Sequence, residues 1–421
     1  MNVSDITTQF HVISFEGPDA YSRAGGIASR ITGLTRALAE AGSDTHLWFV
    51  GDPDLPGHEV QGRLTLHRWC QWISRYHPEG VYDGEEGKRA DFVDSLPLFL
   101  AREILIPRLR SGYRAVILAE EWQTADAVLH LDWLLRQAGL RDRVLMLWNA
   151  NNTFSFERID WGRLVNAAVI TTVSRYMKHL LRGFGVDALV ISNGLSSEAL
   201  IAPARDAVNA FRHRLRDRVV LSKVARFDPD KRWSTAIDIV GELKRQGLRP
   251  LLLARGGIEP YGTQILSAAA ASGLRVADRS ARSGDARGVL GVLDSVANFD
   301  IVNLRMPLTC EGRRLLFRGS SAVLANSGHE PFGLVGLETM AVGGVACTGC
   351  SGEDYAVPGH NALVLETSDP QEFVGLFREL RAHPERERAI RRAGQLTAKR
   401  YTWSGIVQRA LLPRLRVLSA S

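Results

Sequence analysis

The chain is poor in cysteine: it has 4 in 421 residues, Cys70, Cys310, Cys347 and Cys350. They are too few and too unevenly placed for a disulfide framework, so a reducing compartment, the cytoplasm, is the expected location. Long apolar runs are also lacking. Nothing approaches the roughly 18 consecutive apolar residues that a membrane-spanning helix demands, and Met1 to Phe10 has no apolar signal-peptide core. The third absence is a basic block. With 52 basic and 46 acidic residues the formal charge is only +6, which argues against a nucleic-acid partner. That modest excess suits a phosphorylated small molecule or an anionic surface. Neither a Walker phosphate loop nor a His-Glu-x-x-His helix occurs. Cys347 and Cys350 have zinc-knuckle spacing, but two further ligands are wanting, so no metal and no cofactor is expected.

Apolar residues make up 45% and charged residues 23%, the balance of a globular protein. The length exceeds what one hydrophobic core usually reaches, which implies two domains. Short apolar runs alternate with helix-length amphipathic segments, the pattern of parallel strands joined by crossover helices, so the fold class is α/β. In the first half the runs are Val12–Phe15, His46–Val50, Ala115–Ala119, Val144–Trp148, Val169–Val173 and Leu189–Ile191. After a polar stretch up to Arg218 they resume at Val219–Val224, Pro250–Ala254, Leu274–Val276, Ile301–Leu304, Ala322–Ala325 and Gly344–Cys347. Residues 1–200 and 201–400 are therefore expected to form the two domains. Residues 401–421 are expected to contain an amphipathic helix, stopped by Pro413, that crosses back onto the first.

Two segments of the second half carry the chemistry. Glu330-Pro331-Phe332-Gly333-Leu334-Val335-Gly336-Leu337-Glu338 follows a strand and opens a helix. The first amides of such a helix are unpaired and suit a diphosphate, and Gly333 lets the backbone approach a ligand closely. Phe332, Gly333, Leu334, Val335 and Glu338 are thus donor-binding candidates, and Glu330 a catalytic one. The alternative makes Glu330 a cap and Glu338 a solvated side chain. Arg226-Phe227-Asp228-Pro229-Asp230-Lys231 follows the first strand of the second half. Arg226 and Lys231 there are the cations that a leaving diphosphate needs, or else half of a surface ion-pair loop.

The first half offers weaker candidates. Gly25-Gly26 lies between the first strand and its helix, where paired glycines permit close backbone approach. Trp122, after a strand, is a candidate to stack on a sugar, or else core. The stretch Leu98–Arg114 sets Arg102, Arg108, Arg110 and Arg114 among apolar residues. It reads either as a surface for peripheral membrane contact or as a core helix with a basic rim.

Arg226 with Lys231, the pair Glu330 and Glu338, and Gly25-Gly26 together resemble the large glycosyltransferase family that includes bacterial glycogen synthases and many mannosyl- and glucosyltransferases. The tracts Thr171–Tyr176 and Ile191–Gly194, the turn Ser351-Gly352-Glu353 and Trp403 resemble it too, over about residues 12 to 415. The resemblance implies the GT-B fold of two facing Rossmann-like domains, acceptor-side first and nucleotide-sugar-binding second. It also implies metal-independent transfer with retention, from a nucleotide sugar to a carbohydrate or other hydroxyl acceptor. In the family the residues matching Arg226 and Lys231 neutralise the donor phosphates, the one matching Glu330 contacts the sugar, and the one matching Glu338 holds the ribose. One departure stands out. Where many relatives have a histidine near the sugar, this chain reads Leu147-Trp148-Asn149-Ala150-Asn151-Asn152, so Asn149 either takes over as a hydrogen-bonding group or builds a turn. A phosphorylase, an epimerase and a non-catalytic nucleotide-sugar-binding protein are the competing readings.

Overall fold

The computed structural model describes residues 8–419. Most of the polar N-terminal tract, and the last two residues of the C-terminal segment, lie outside them. Two compact units divide the chain, one running to Gly194 and resuming at Trp403, the other spanning Leu195–Thr402. Each is an α/β unit built on one sheet.

The strands of the first unit are β1 (Thr8–Ile13), β2 (Asp44–Val50), β3 (His58–Gln61), β4 (Leu64–Trp69), β5 (Arg114–Glu120), β6 (Val144–Ala150), β7 (Val169–Thr172) and β8 (Leu189–Val190). They lie in the order β3-β4-β2-β1-β5-β6-β7-β8. All neighbours are parallel except β3 and β4. The apolar runs of the sequence are the central strands, covered on both faces by helices and so apolar throughout. β3 and β4 were not expected. His58-Glu59-Val60-Gln61 is a mostly exposed edge strand, so it carries no apolar run to mark it.

Two proline-containing segments depart from expectation in the same way. Pro413 does not stop the C-terminal helix. A π-helical stretch, Val407–Leu411, precedes Leu412–Leu418, and Pro413 occupies the first turn of that new segment, where its missing N–H is tolerated. Likewise the π-helical Leu100–Leu105 is followed by Ile106–Arg110, with Pro107 in its first turn. Leu100, Leu105 and Leu109 are buried in the core, while Arg102, Arg108 and Arg110 are exposed. The structure therefore favours a core helix with a basic rim over the peripheral membrane reading of this stretch. No helix among the described residues is long and apolar enough to cross a membrane.

Trp403 closes the first unit. A Cβ at Gly33, on the helix Gly26–Glu40, would lie 2.1 Å from Trp403 Cδ1. Glycine there lets the C-terminal segment pack directly against that helix.

The second unit contains β9 (Val219–Val224), β10 (Pro250–Arg255), β11 (Val276–Arg279), β12 (Ile301–Leu304), β13 (Ala322–Ala325), β14 (Ala346–Thr348) and β15 (Leu363–Val364). They lie in the order β11-β12-β10-β9-β13-β14-β15, all neighbours parallel. β11 starts at the end of the expected Leu274–Val276 run because, as an edge strand, it uses the polar Asp278 and Arg279. From β9 the chain winds outward one way through β10 and then returns to the other side at β13. That reversal makes a switch point, and in doubly wound sheets ligands bind beyond the carboxyl ends of the strands at such a point.

Candidate functional site

Arg226–Lys231 leaves β9, and Asn326–Gly333 leaves β13, on either side of this switch point. Asp228 caps the short 3₁₀ turn Pro229–Lys231, accepting the Asp230 N–H at 2.8 Å. The two loops are stitched through Asp230. Its carbonyl accepts from Gly328 N at 2.7 Å, and its Oδ1 accepts from His329 N at 3.0 Å. This places Lys231 Nζ 2.8 Å from Glu330 Oε2, with the two side chains 19% and 21% exposed. Glu330 is fixed from the other side by Ser351, whose Oγ accepts the Glu330 N–H at 2.9 Å.

Gly333, at φ +76°, caps the helix Leu334–Ala341. A Cβ at that position would lie 2.7 Å from Glu353 Cγ, so both backbone conformation and space favour glycine. The N–H groups of Leu334, Val335 and Gly336 open the helix and have no carbonyl one turn earlier to bond. Lys231, Glu330 and this helix start thus share one place. The Phe332 ring is buried against Tyr355 and Tyr401, at 5.7 and 6.2 Å between centroids. It anchors the loop, leaving only its backbone for a donor. Arg226 is exposed, and its carbonyl accepts from Trp233 Nε1 at 2.7 Å.

Glu338 stands apart from this pair. It sits 3.7 Å from Arg313 and beside a small cavity of about 40 Å³ that Cys310 and Arg313 also line. Burial raises its pKa, and Arg313 partly offsets that.

Two buried ionisable residues underlie the site, and neither was picked out as a site residue from the sequence. Glu353 is 5% exposed, and neither carboxyl oxygen has a partner in good hydrogen-bond geometry. Burial, then the Glu330 charge, push its pKa up to about 8, against weaker opposition from nearby backbone amides and Lys231. It is mostly protonated at pH 7. Lys223, on β9, gives Nζ to Asn326 Oδ1 at 2.7 Å and to Leu324 O at 3.2 Å. It therefore holds the root of the Asn326–Gly333 loop. A lysine inside a mostly apolar strand was the signal available for it.

In the first unit three candidate groups are engaged internally. The Glu16 carboxylate folds into the glycine turn, and its Oε2 accepts from the N–H groups of Ala24, Gly25 and Ala28 at 3.3, 3.1 and 3.1 Å. Tyr82 donates its hydroxyl to Oε1 at 2.7 Å. The Gly25 amide assigned to a donor is thus already bonded to an internal anion, while Gly26 remains exposed beside it. Asn149 is buried, with Nδ2 donating to Glu120 Oε2 at 2.9 Å and Oδ1 accepting from Thr171 Oγ1 at 2.9 Å. Its amide is committed to the interior because Glu120, 1% exposed, must be paired. Arg30 Nε donates to both Glu120 oxygens at 3.0 Å, and Asn151 Nδ2 adds a bond at 2.8 Å. Trp122 is likewise buried, with the Arg158 guanidinium 4.1 Å and the Arg89 guanidinium 5.5 Å from its ring centroid. It has no open face for a sugar.

Geometry and topology define a two-unit, Rossmann-like α/β protein of the GT-B fold, with its ion pair at the switch point of the second sheet. No family model matches the chain, and no curated protein matches it significantly. Solved structures do. Sucrose-phosphate synthase from Thermosynechococcus elongatus is 18% identical with a TM-score of 0.65, over 98% of this chain and 100% of that one. The catalytic domain of Arabidopsis thaliana starch synthase IV, bound to ADP and acarbose, is 15% identical at TM-score 0.67, over 98% and 99%. Anabaena HepE in complex with UDP is 14% identical at TM-score 0.61, over 98% and 100%. At these identities the likeness establishes the fold.

Proposed function

We propose that the protein is a retaining glycosyltransferase that moves a hexosyl group from a nucleoside-diphosphate sugar to a hydroxyl acceptor without a metal. The observation that carries this reading is the Lys231–Glu330 pair beside the Gly333 helix start at the switch point. Cation and unpaired amides suit a diphosphate, and the carboxylate beside them suits the attached sugar's hydroxyls. That sucrose-phosphate synthase and starch synthase share the fold agrees with it, as do the nucleotides bound to starch synthase IV and HepE.

In the proposed step the bond from the anomeric carbon to the diphosphate oxygen breaks while the acceptor oxygen bonds the same carbon from the same face. The acceptor proton passes to the departing phosphate. Arg226, Lys231 and the amides of Leu334 and Val335 stabilise the growing phosphate charge. Glu330 positions the sugar, and Glu338, in its separate recess, takes the ribose. A second reading, a nucleotide-sugar-binding protein without turnover, is favoured by one observation: Asn149, Trp122 and the Gly25 amide are all engaged internally in the first unit.

The test is nucleoside diphosphate release from UDP-, ADP- and GDP-sugars, with and without mixed acceptors. One donor should respond, more strongly with acceptor. Lys231→Ala should lower turnover by about 10² to 10³-fold. Glu330→Ala should impair transfer more than nucleotide binding. Tight donor binding with no release would favour the second reading, and disaccharide cleavage by free phosphate would indicate a phosphorylase.

A further inference from the structure

The edge of the second sheet opposite Arg226 and Lys231, where β9 and β13 begin, carries an open cleft of about 270 Å³. A neighbouring one of about 400 Å³ shares Arg212 with it. Their combined size is that of a small-molecule site. Seven arginines line them, Arg212, Arg216, Arg318, Arg381 and Arg391 among them, with Glu387 the acidic residue of the lining.

Part of this cluster has a structural role. Arg391 bonds Glu387 at 2.7 Å and Gly343 O at 2.8 Å, and Arg212 reaches Arg318 O at 3.1 Å. Such contacts satisfy carbonyls at helix ends. They use only some of the donors, however, and Glu387 together with Asp217, which lies 3.6 Å from Arg216, does not balance these guanidiniums. The electrostatics register the excess. Burial, then Arg391, lower the pKa of Arg212, and burial, Arg391 and Arg212 lower that of Arg318, with Glu387 opposing in both cases. Phe211, Leu215 and Phe377 add an apolar wall. Guanidinium forks match phosphate geometry, and clustered guanidiniums that repel one another gain most from a multiply charged anion.

We propose that this cleft binds a phosphate-bearing organic molecule, at a site separate from the Lys231–Glu330 pair. The same chemistry would accept a soluble sugar phosphate or the phosphate of a lipid headgroup.

The experiment is isothermal titration of the full chain with inorganic phosphate, pyrophosphate and glucose 6-phosphate at constant ionic strength, with chloride as blank. It is repeated in Lys231→Ala, so that binding at the proposed donor site is distinguished. Sedimentation with phosphatidylglycerol against phosphatidylcholine vesicles reports the lipid source. Saturable binding should survive Lys231→Ala and weaken at least about tenfold in Arg212→Gln/Arg381→Gln. Both substituted residues are exposed, so that variant should keep its circular dichroism and melting temperature. Capture by phosphatidylglycerol alone, lost in the same variant, would also support the site and make its ligand a lipid. Heats equal to the chloride blank without selective vesicle capture, binding indifferent to the double substitution, or binding lost only in Lys231→Ala would overturn the proposal.

Discussion

Replacing Lys223 by methionine removes a charge from beneath the candidate site without altering its surface. Lys223 is 1% exposed, and its Nζ lies 5.4 Å from the Trp233 ring centroid. Burial, aided by Lys231 and Arg232 and opposed by Cys347 and Glu330, pushes its pKa from 10.5 down to about 7. In the unfolded chain the lysine keeps its proton up to its ordinary pKa. Between pH 7 and 10.5 the unfolded state therefore binds more protons, and stability rises with pH. The whole difference corresponds to about 5 kcal/mol, of which about 3 kcal/mol is gained between pH 7 and 9.5. Methionine cannot titrate, so the stability of wild type relative to Lys223→Met should climb by that about 3 kcal/mol over the same interval. Urea unfolding at several pH values, followed by tryptophan fluorescence, measures it. For a unit of this size the climb equals about 6 to 12 °C in melting temperature. Parallel curves for the two proteins between pH 7 and 9.5 would refute the reasoning, since no other group is changed.

Two further substitutions probe the sites directly. Gly333→Ala puts a side chain at φ +76° with its Cβ 2.7 Å from Glu353 Cγ. It should cost about 1 to 3 kcal/mol in unfolding experiments and abolish nucleotide binding, whereas normal binding would show that the loop can yield. Asn149→Ala strips one donor from the buried Glu120 carboxylate and should destabilise the first unit by about 1 to 3 kcal/mol. An unchanged melting temperature with selective loss of transfer would return Asn149 to the role of ligand.

The central strands were legible because strands covered on both faces must be apolar throughout, as in Val144–Trp148 and Pro250–Ala254. The loops carrying Arg226, Lys231 and Glu330 were legible because each follows such a run and precedes a helical pattern. Polarity hid β3 and most of β11, since an edge strand has one side in solvent, and in β4, which lies inside the sheet, the polar Thr65, His67 and Arg68 break up any apolar run. The Lys231–Glu330 contact, 99 residues apart in sequence, was legible only as two suitable residue types.

Which atoms meet was decided by the tertiary structure. Glu16 reaches back to the Gly25 turn, Arg30 meets Glu120 across 90 residues, and Asn149 turns inward because strand register sets it beside that carboxylate. The C-terminal segment seats Trp403 on Gly33 for a similar reason: two surfaces far apart in sequence fit. Local pattern determines which residues form strands and helices and which side is buried, because those choices depend on neighbours a few positions away. Whether a buried polar group faces a ligand or another side chain depends on register and packing between distant elements, and no local period encodes that.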